Sequence, residues 1–275
     1  MNTHKAQKKW GQNFLKDTTI IDKIMASVPR SKHAVYIEIG PGKGALTEGL
    51  LALNRPVIAY EIDRNLEPTL NVRFNKASAF HLIMDDFLNR DISNDIHNHQ
   101  FTEFDVHVVA NLPYYITTPI IRKCLDLANL KSITIMVQEE VAKRLSAQPS
   151  TKDYGALTVL SQYYANIDYL FQVPPHVFHP APKVHSAVIQ LTIKPERILP
   201  VDQEKSFETF IHQCFKQKRK TLINNLSSEY TNAKDVLTNY FEAEGLNPQT
   251  RAEALNLNHL VHLFQKISVQ TQPKN

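Results

Sequence analysis

A chain of 275 residues with 43% hydrophobic side chains has room for one large domain, or for a domain with a smaller companion. No run approaches the roughly 18 apolar residues of a membrane span, and no apolar signal core follows the basic start, so a cytoplasmic protein is expected. Cys124 and Cys214 lie far apart, which argues against a disulfide framework or a zinc site.

The net charge of +4 is unevenly spread, because residues 1–33 hold seven Lys/Arg against only Asp17 and Asp22. Within that segment, residues 4–16 combine Lys5, Lys8, Lys9 and Lys16 with the only Trp of the chain and Phe14. Cations interleaved with aromatic rings suit phosphate contact and base stacking. Asp17 reads as the N-cap of a helix over 18–28, whose apolar residues Ile20, Ile21, Ile24, Met25 and Val28 share one face before Pro29 stops it.

Residues Val35 to Thr47 read as a strand, a tight turn and a helix start. Four of the seven glycines, Gly40, Gly42, Gly44 and Gly49, fall in this neighbourhood. Glycine permits positive φ and close backbone approach, so the turn points to an adenine-nucleoside cofactor at the carboxyl edge of a parallel sheet. A second strand, Val57 to Glu61, ends in a carboxylate about 20 residues past the turn, the position from which an acidic side chain accepts ribose hydroxyls. A third strand near Phe80–Met84 ends in Asp85 and Asp86, either of which suits an adenine amine.

Residues 89–103 are polar and read as loop. A fourth strand over 104–110 delivers Asn111-Leu112-Pro113-Tyr114, which places an amide, backbone carbonyls and an aromatic face together at a strand tip. A helix over 117–128, a strand over 133–137, helices around Glu139–Leu145 and up to Tyr164, and strands 167–173 and 187–193 complete the alternation. The last two strands, with no helix between them, predict an antiparallel edge hairpin and a seven-stranded sheet. Beyond Pro195 and Pro200 only helical spacing recurs, on the face Phe207–Leu226 as one long or two shorter helices and again over Leu257–Ile267. Lys216, Lys218, Arg219 and Lys220 form a dense basic cluster there, and the residues from Ser268 read as disordered. The fold class is therefore α/β, with a Rossmann-like seven-stranded domain over 1–198, including a basic segment 1–16, and a helical domain over 199–275.

The tetrapeptide suits a particular chemistry. An adenine amine is a poor nucleophile because its lone pair is delocalised, so a site must take the base out of its stack and localise that pair. The Asn111 side-chain oxygen and the carbonyl of Leu112 or Pro113 accept the amine hydrogens, and Tyr114 stacks on the base with Phe178 over its other face. Catalysis is then mainly orientation.

The segments Gly11–Leu15, Glu38–Thr47, Glu61 with Asp63, Asp86, Asn111–Tyr114, Phe178–Ser186 and Arg219–Thr221, in this order, resemble the ribosomal RNA adenine dimethyltransferase family, specifically its bacterial small-subunit (16S) branch. The resemblance implies S-adenosylmethionine as cofactor, with Asn13 and Leu15 closing over it and Gly40 near its methionine part. It implies ribose binding by Glu61 and adenine binding by Asp86, and counts Glu38, Gly42 and Asn111 with the cofactor residues and Pro113 with the catalytic ones. It further implies dimethylation of two adjacent adenosines near the 3′ end of 16S rRNA by a monomer acting on the assembling small subunit. The RNA contacts are expected at Lys5, Lys8, Lys9, Lys216, Lys218, Arg219 and Lys220, and no metal is expected. Tyr115 departs from the family pattern, in which Asn commonly follows the tetrapeptide. Rival readings are a large-subunit rRNA methyltransferase of the macrolide-resistance type, a nicotinamide oxidoreductase, which leaves the tetrapeptide unexplained, and a non-catalytic assembly factor.

Overall fold

The computed structural model describes residues 7, 10–113 and 116–270. It opens with a two-residue strand β1 (Phe14–Leu15) and helix α1 (Thr18–Ser27), whose first turn is capped by Asp17 accepting from the Ile20 N–H. Then follow β2 (Ala34–Ile39), α2 (Ala45–Leu51), β3 (Val57–Tyr60), α3 (Glu67–Phe74), β4 (Phe80–Ile83), α4 (Ile92–Asn98) and β5 (Asp105–Asn111). The chain continues through α5 (Thr117–Leu125), β6 (Leu130–Gln138), α6 (Glu139–Leu145), α7 (Ala156–Tyr164), β7 (Ala165–Val173), β8 (Phe178–His179) and β9 (Ser186–Ile193).

Seven of these strands form one sheet in the order β4-β3-β2-β5-β6-β9-β7. The strands from β4 to β6 pair in parallel, and β9 returns antiparallel against β6. The expected edge pair is thus present, with β9 inside and β7 outermost. All six residues of β2 are buried, as both faces of a parallel sheet demand. Strand order reverses between β2 and β5, the crevice where open α/β sheets take their ligands. Ile39 and Ala110 are register partners, so the turn after β2 and the tetrapeptide after β5 leave the sheet side by side.

Two compact units result. The first runs up to Ala142 and again over Asp168–Ile193, and the second comprises Lys143–Ile167 and the chain from Lys194. The sequence reading kept everything to 198 together. Lys143–Ile167 instead joins the C-terminal helices, because Tyr163 of α7 lays its ring 5.1 Å from Phe207 and its hydroxyl donates to Glu204 at 3.2 Å. The C-terminal helices are α8 (Val201–Cys214), α9 (Leu222–Ser227), α10 (Ala233–Ala243) and α11 (Leu257–Gln270).

Three further sequence expectations change. The polar stretch 89–103 contains α4, capped by Asp91, with Ile92 and Ile96 one turn apart on its buried side. Helix α10, unmarked by sequence, buries Val236, Leu237, Tyr240 and Phe241. Ser268 lies within α11 rather than in a disordered tail.

Candidate active site

The cleft above the β2/β5 crevice is walled by the Gly40–Ala45 turn, by Glu61 and Ile62 after β3, by Asn111–Pro113 after β5, and by residues 10–15 of the N-terminal segment. Gly40 adopts φ +68°, and a Cβ built there meets nothing within 4 Å, so its backbone borders open space. Gly42 adopts φ +61°, and a Cβ there would come within 3.1 Å of the Phe14 ring. Glycine is required at both for conformation, and at Gly42 also for the seat of Phe14.

Glu61, only 4% exposed, ties two loops together. The Gly42 N–H donates to its Oε2 at 3.0 Å and the Asp63 N–H to its Oε1 at 2.9 Å. Each oxygen keeps lone-pair capacity for a further donor. Burial raises the carboxyl pKa, and these two N–H donors oppose the rise. Beneath it Glu38 is also buried, and the Thr47 hydroxyl donates to its Oε2 at 2.6 Å. Burial pushes the Glu38 carboxyl up to about 8, and the nearby Glu61 charge adds to the rise.

The N-terminal segment is fastened across this cleft. Phe14 and Leu15 pair antiparallel with His179 and Phe178, and the Lys16 N–H donates to the Val177 carbonyl at 3.0 Å. Gln12 Nε2 donates to Asp63 Oδ2 at 2.8 Å, and Asn111 Nδ2 donates to the Asn13 carbonyl at 3.0 Å. Leu112 N–H donates to Met136 on β6, and the Pro113 carbonyl accepts from the Ile116 N–H at 3.3 Å.

Of the residues singled out by sequence, Asn13, Leu15, Glu38, Gly40, Gly42, Glu61, Asn111 and Pro113 all border the cleft. Asp86 stands at the same sheet edge but outside the cleft wall, capping a short 3-10 turn by accepting from the Leu88 N–H at 2.9 Å. Phe178, at 5% exposure, packs with Leu15 and Val177 in the core and does not wall the cleft. Its neighbour His179 takes the exposed side of this short strand. Tyr114, Tyr115, Lys5, Lys8 and Lys9 lie outside the described residues.

Lys216–Lys220 follow α8 in the second unit, in a turn held by Asn225 Nδ2 donating to the carbonyls of Cys214 at 2.9 Å and Gln217 at 3.2 Å. Lys216 pairs with Glu229 at 2.7 Å, whereas Lys218, Arg219 and Lys220 are exposed without an ion pair among the described residues. Sequence reasoning gave no role to Gln12, Asp63 or Thr47. All three belong to motifs already noted, but the Gln12–Asp63 contact spans 51 residues and no local periodicity announces it.

A family model described as "Ribosomal RNA adenine dimethylase" matches residues 3–268. The chain belongs to that family. Within it, the chain is 42% identical over 267 residues to "Ribosomal RNA small subunit methyltransferase A" of Aster yellows witches'-broom phytoplasma, covering 97% of this chain and 96% of the relative. It is likewise 42% identical over 261 residues to the protein of that name from Clostridium acetobutylicum, covering 94% and 93%. The crystal structure of a dimethyladenosine transferase from Plasmodium falciparum shares the fold with a TM-score of 0.75 at 24% identity, over 93% of this chain and 98% of that one. So does that of the 23S rRNA methyltransferase ErmE, with a TM-score of 0.73 at 24% identity, over 93% and 100%.

Proposed function

We propose that this member of the adenine dimethylase family transfers methyl groups from S-adenosylmethionine to the exocyclic N6 amines of two adjacent adenosines near the 3′ end of 16S rRNA, acting in the cytoplasm on the assembling small subunit. The observation that carries the reading is the state of the two acceptors at the tip of β5. Asn111 spends its Nδ2 on the Asn13 carbonyl, which turns Oδ1 to the other side, and no described residue donates to that oxygen. Of the two backbone carbonyls suggested by sequence, that of Pro113 is occupied by Ile116, while that of Leu112 accepts from no described N–H. Asn111 Oδ1 and the Leu112 carbonyl are therefore the pair that takes the two hydrogens of an amine.

The cleft residues suit the cofactor. Glu61 offers one remaining acceptor site on each oxygen to the two ribose hydroxyls, Gly40 presents bare backbone, and Asp86 at the next strand end takes the adenine amine through Oδ2. When bound, S-adenosylmethionine supplies an electrophilic methyl group on a sulfonium.

Asn111 Oδ1 and the Leu112 carbonyl draw the amine hydrogens into line, which favours a pyramidal nitrogen with its lone pair aimed along the transfer axis. No strong base is needed, because an alkylated exocyclic amine is acidic. Tyr114 stacks on the flipped base. Phe178, buried and paired with Leu15 of β1, supports the reaction by seating Leu15 and the N-terminal segment over the cleft. The free Lys218, Arg219 and Lys220 and the N-terminal lysines hold RNA phosphates. The higher identity to proteins named for the small subunit favours 16S rRNA over a large-subunit target.

The test is to incubate the protein with methyl-labelled S-adenosylmethionine and small subunits from a strain lacking this activity, then digest the RNA. Label is expected in N6,N6-dimethyladenosine at two neighbouring positions. Label in large-subunit RNA alone, or none in either, overturns the reading.

A further inference from the structure

A second concavity of about 980 Å³ lies beside the cleft, between α1 and α2, and nothing in the chemistry above uses it. Both helices run from the carboxyl edge of the sheet toward its amino edge, since α2 follows β2 and α1 precedes it. Leu15, Lys43 and Ala45 border both concavities, so the groove opens directly from the cleft. Its floor is apolar, with Ile21, Met25 and Leu53, and its rim is cationic.

Lys16, Lys43 and Arg73 stand where the groove meets the cleft, and Arg30, Lys32 and Arg55 at its far end. Against these six cations the groove presents only Asp22 and Glu48. The local surplus equals the +4 of the whole chain. Glu48 is already neutralised by Arg73, which also donates to the Lys43 carbonyl at 2.6 Å. Lys16, Arg30, Lys32, Lys43 and Arg55 have no ion pair among the described residues, and Lys16, Arg30 and Lys32 are exposed. Lys43 lies over the Phe14 ring, 5.0 Å from its centroid.

Uncompensated cations at both ends of an open groove repel one another, and a polyanion relieves that repulsion. The ten residues of α1 extend about 15 Å. A nucleic-acid strand carries one phosphate per roughly 3.4 Å of helix axis, so about four phosphates fall along the groove. We propose that the α1–α2 groove is an RNA-backbone track that leads from the target cleft and holds the strand flanking the modified adenosines. This rests on the reading of the protein as an RNA methyltransferase and names a surface that shares only Lys16 with the two basic segments found by sequence.

The triple variant K16Q/R30Q/K32Q tests it, since these side chains touch neither cofactor nor target. Binding to small subunits would be measured across a salt series, with calorimetric affinity for S-adenosylmethionine as the check on the cleft. The expected result is unchanged cofactor affinity and a log–log salt slope flatter by about 2–3, at 0.7–0.9 per lost phosphate contact. Should the triple variant disturb the cleft, R30Q/K32Q at the far end gives the same reading, with a slope flatter by about 1.4–1.8.

A wild-type slope in the variants overturns the track, and so does an equal flattening in K205Q/K234Q/K266Q, which removes the same charge from the second unit. Weaker binding to subunits with unchanged binding to protein-free small-subunit RNA also overturns it, because the groove would then face an acidic protein. Absence of methylation by the wild-type protein would count against the enzymatic reading instead, and the salt slopes would still decide the groove.

Discussion

Asn111 Nδ2 donates to the backbone carbonyl of Asn13 across 98 residues of sequence, at 3.0 Å. One hydrogen bond thereby orients the acceptor proposed for the target amine and fastens the N-terminal segment that borders the cleft. On the proposed mechanism, seating of the N-terminal segment and readiness for methyl transfer are coupled at this atom.

Asn111→Ala is expected to slow methyl transfer more than it weakens binding, because the lost acceptor matters most as the nitrogen becomes pyramidal. A fall of about 100-fold in single-turnover rate on saturating small subunits is expected, the scale for removing one aligned polar group from a transition state. Calorimetric affinity for S-adenosylmethionine should change by less than about tenfold. A normal single-turnover rate would make the tetrapeptide structural.

Glu61→Ala should weaken S-adenosylmethionine binding by about 1.5–3 kcal/mol, the scale of hydrogen bonds to a charged acceptor. It also frees the N–H groups of Gly42 and Asp63. Titration calorimetry reads the loss directly, and an unchanged affinity would remove Glu61 from the cofactor site.

Gly42→Ala meets two obstacles, a φ of +61° and a Phe14 ring 3.1 Å from the new Cβ. The conformational cost alone is about 1 kcal/mol. Thermal unfolding should show that loss. Displacement of Phe14 should in addition raise susceptibility to proteolysis in residues 10–16, which an effect confined to the turn would leave unchanged.

Glu38 gives a pH dependence with a defined sign. Its folded-state pKa of about 8 exceeds the ordinary carboxyl value of 4.5, so between these two values the native protein binds the extra proton. Stability from this group is whole below about pH 4.5 and is lost as pH rises through about 8. Glu38→Gln keeps an acceptor for Thr47 without the ionisation. Denaturant titrations of the cofactor-free protein should show a decline from pH 5 to 9 in the wild type that is smaller in the variant, and parallel curves would refute the assignment.

Neutralising Lys218, Arg219 and Lys220 together should flatten the salt dependence of subunit binding by about 0.7–0.9 per phosphate contact. Their exposure without ion pairs predicts little effect on folding. A circular-dichroism melt would check folding, and an unaltered slope would leave the cluster a solvated turn.

The sheet was legible because its central strands are short, mostly apolar runs with β-branched residues closed by Gly40, Glu61 and Asn111, a local signal that survives without tertiary context. Helix α4 was not, since Asn and Asp dominate its composition and its apolar anchor is only Ile92 and Ile96, with Arg90 paired to the buried Asp95. In α7 the apolar face is plain from the sequence but its partner is not, because helical spacing says that a face is buried and not against what. The gathering of Gly40, Glu61 and Asn111 around one cleft followed from topology alone. Gln12, the occupied Pro113 carbonyl and the core position of Phe178 depend on contacts between distant segments, which periodicity does not encode.

Phe14 finds its strand partner only at His179. On a ribosome adding about 5–20 residues per second, the first strand waits roughly 10–30 s for the second to be made. The nascent chain thus makes β2 to β6, and with them the Asp63 and Asn111 partners of Gln12 and Asn13, before Phe14 and Leu15 have a strand to pair with. Methyl-donor binding by a stalled chain should begin only once synthesis has passed β8 and exposed it beyond the exit tunnel, which makes competence for catalysis one of the last properties the growing polypeptide acquires.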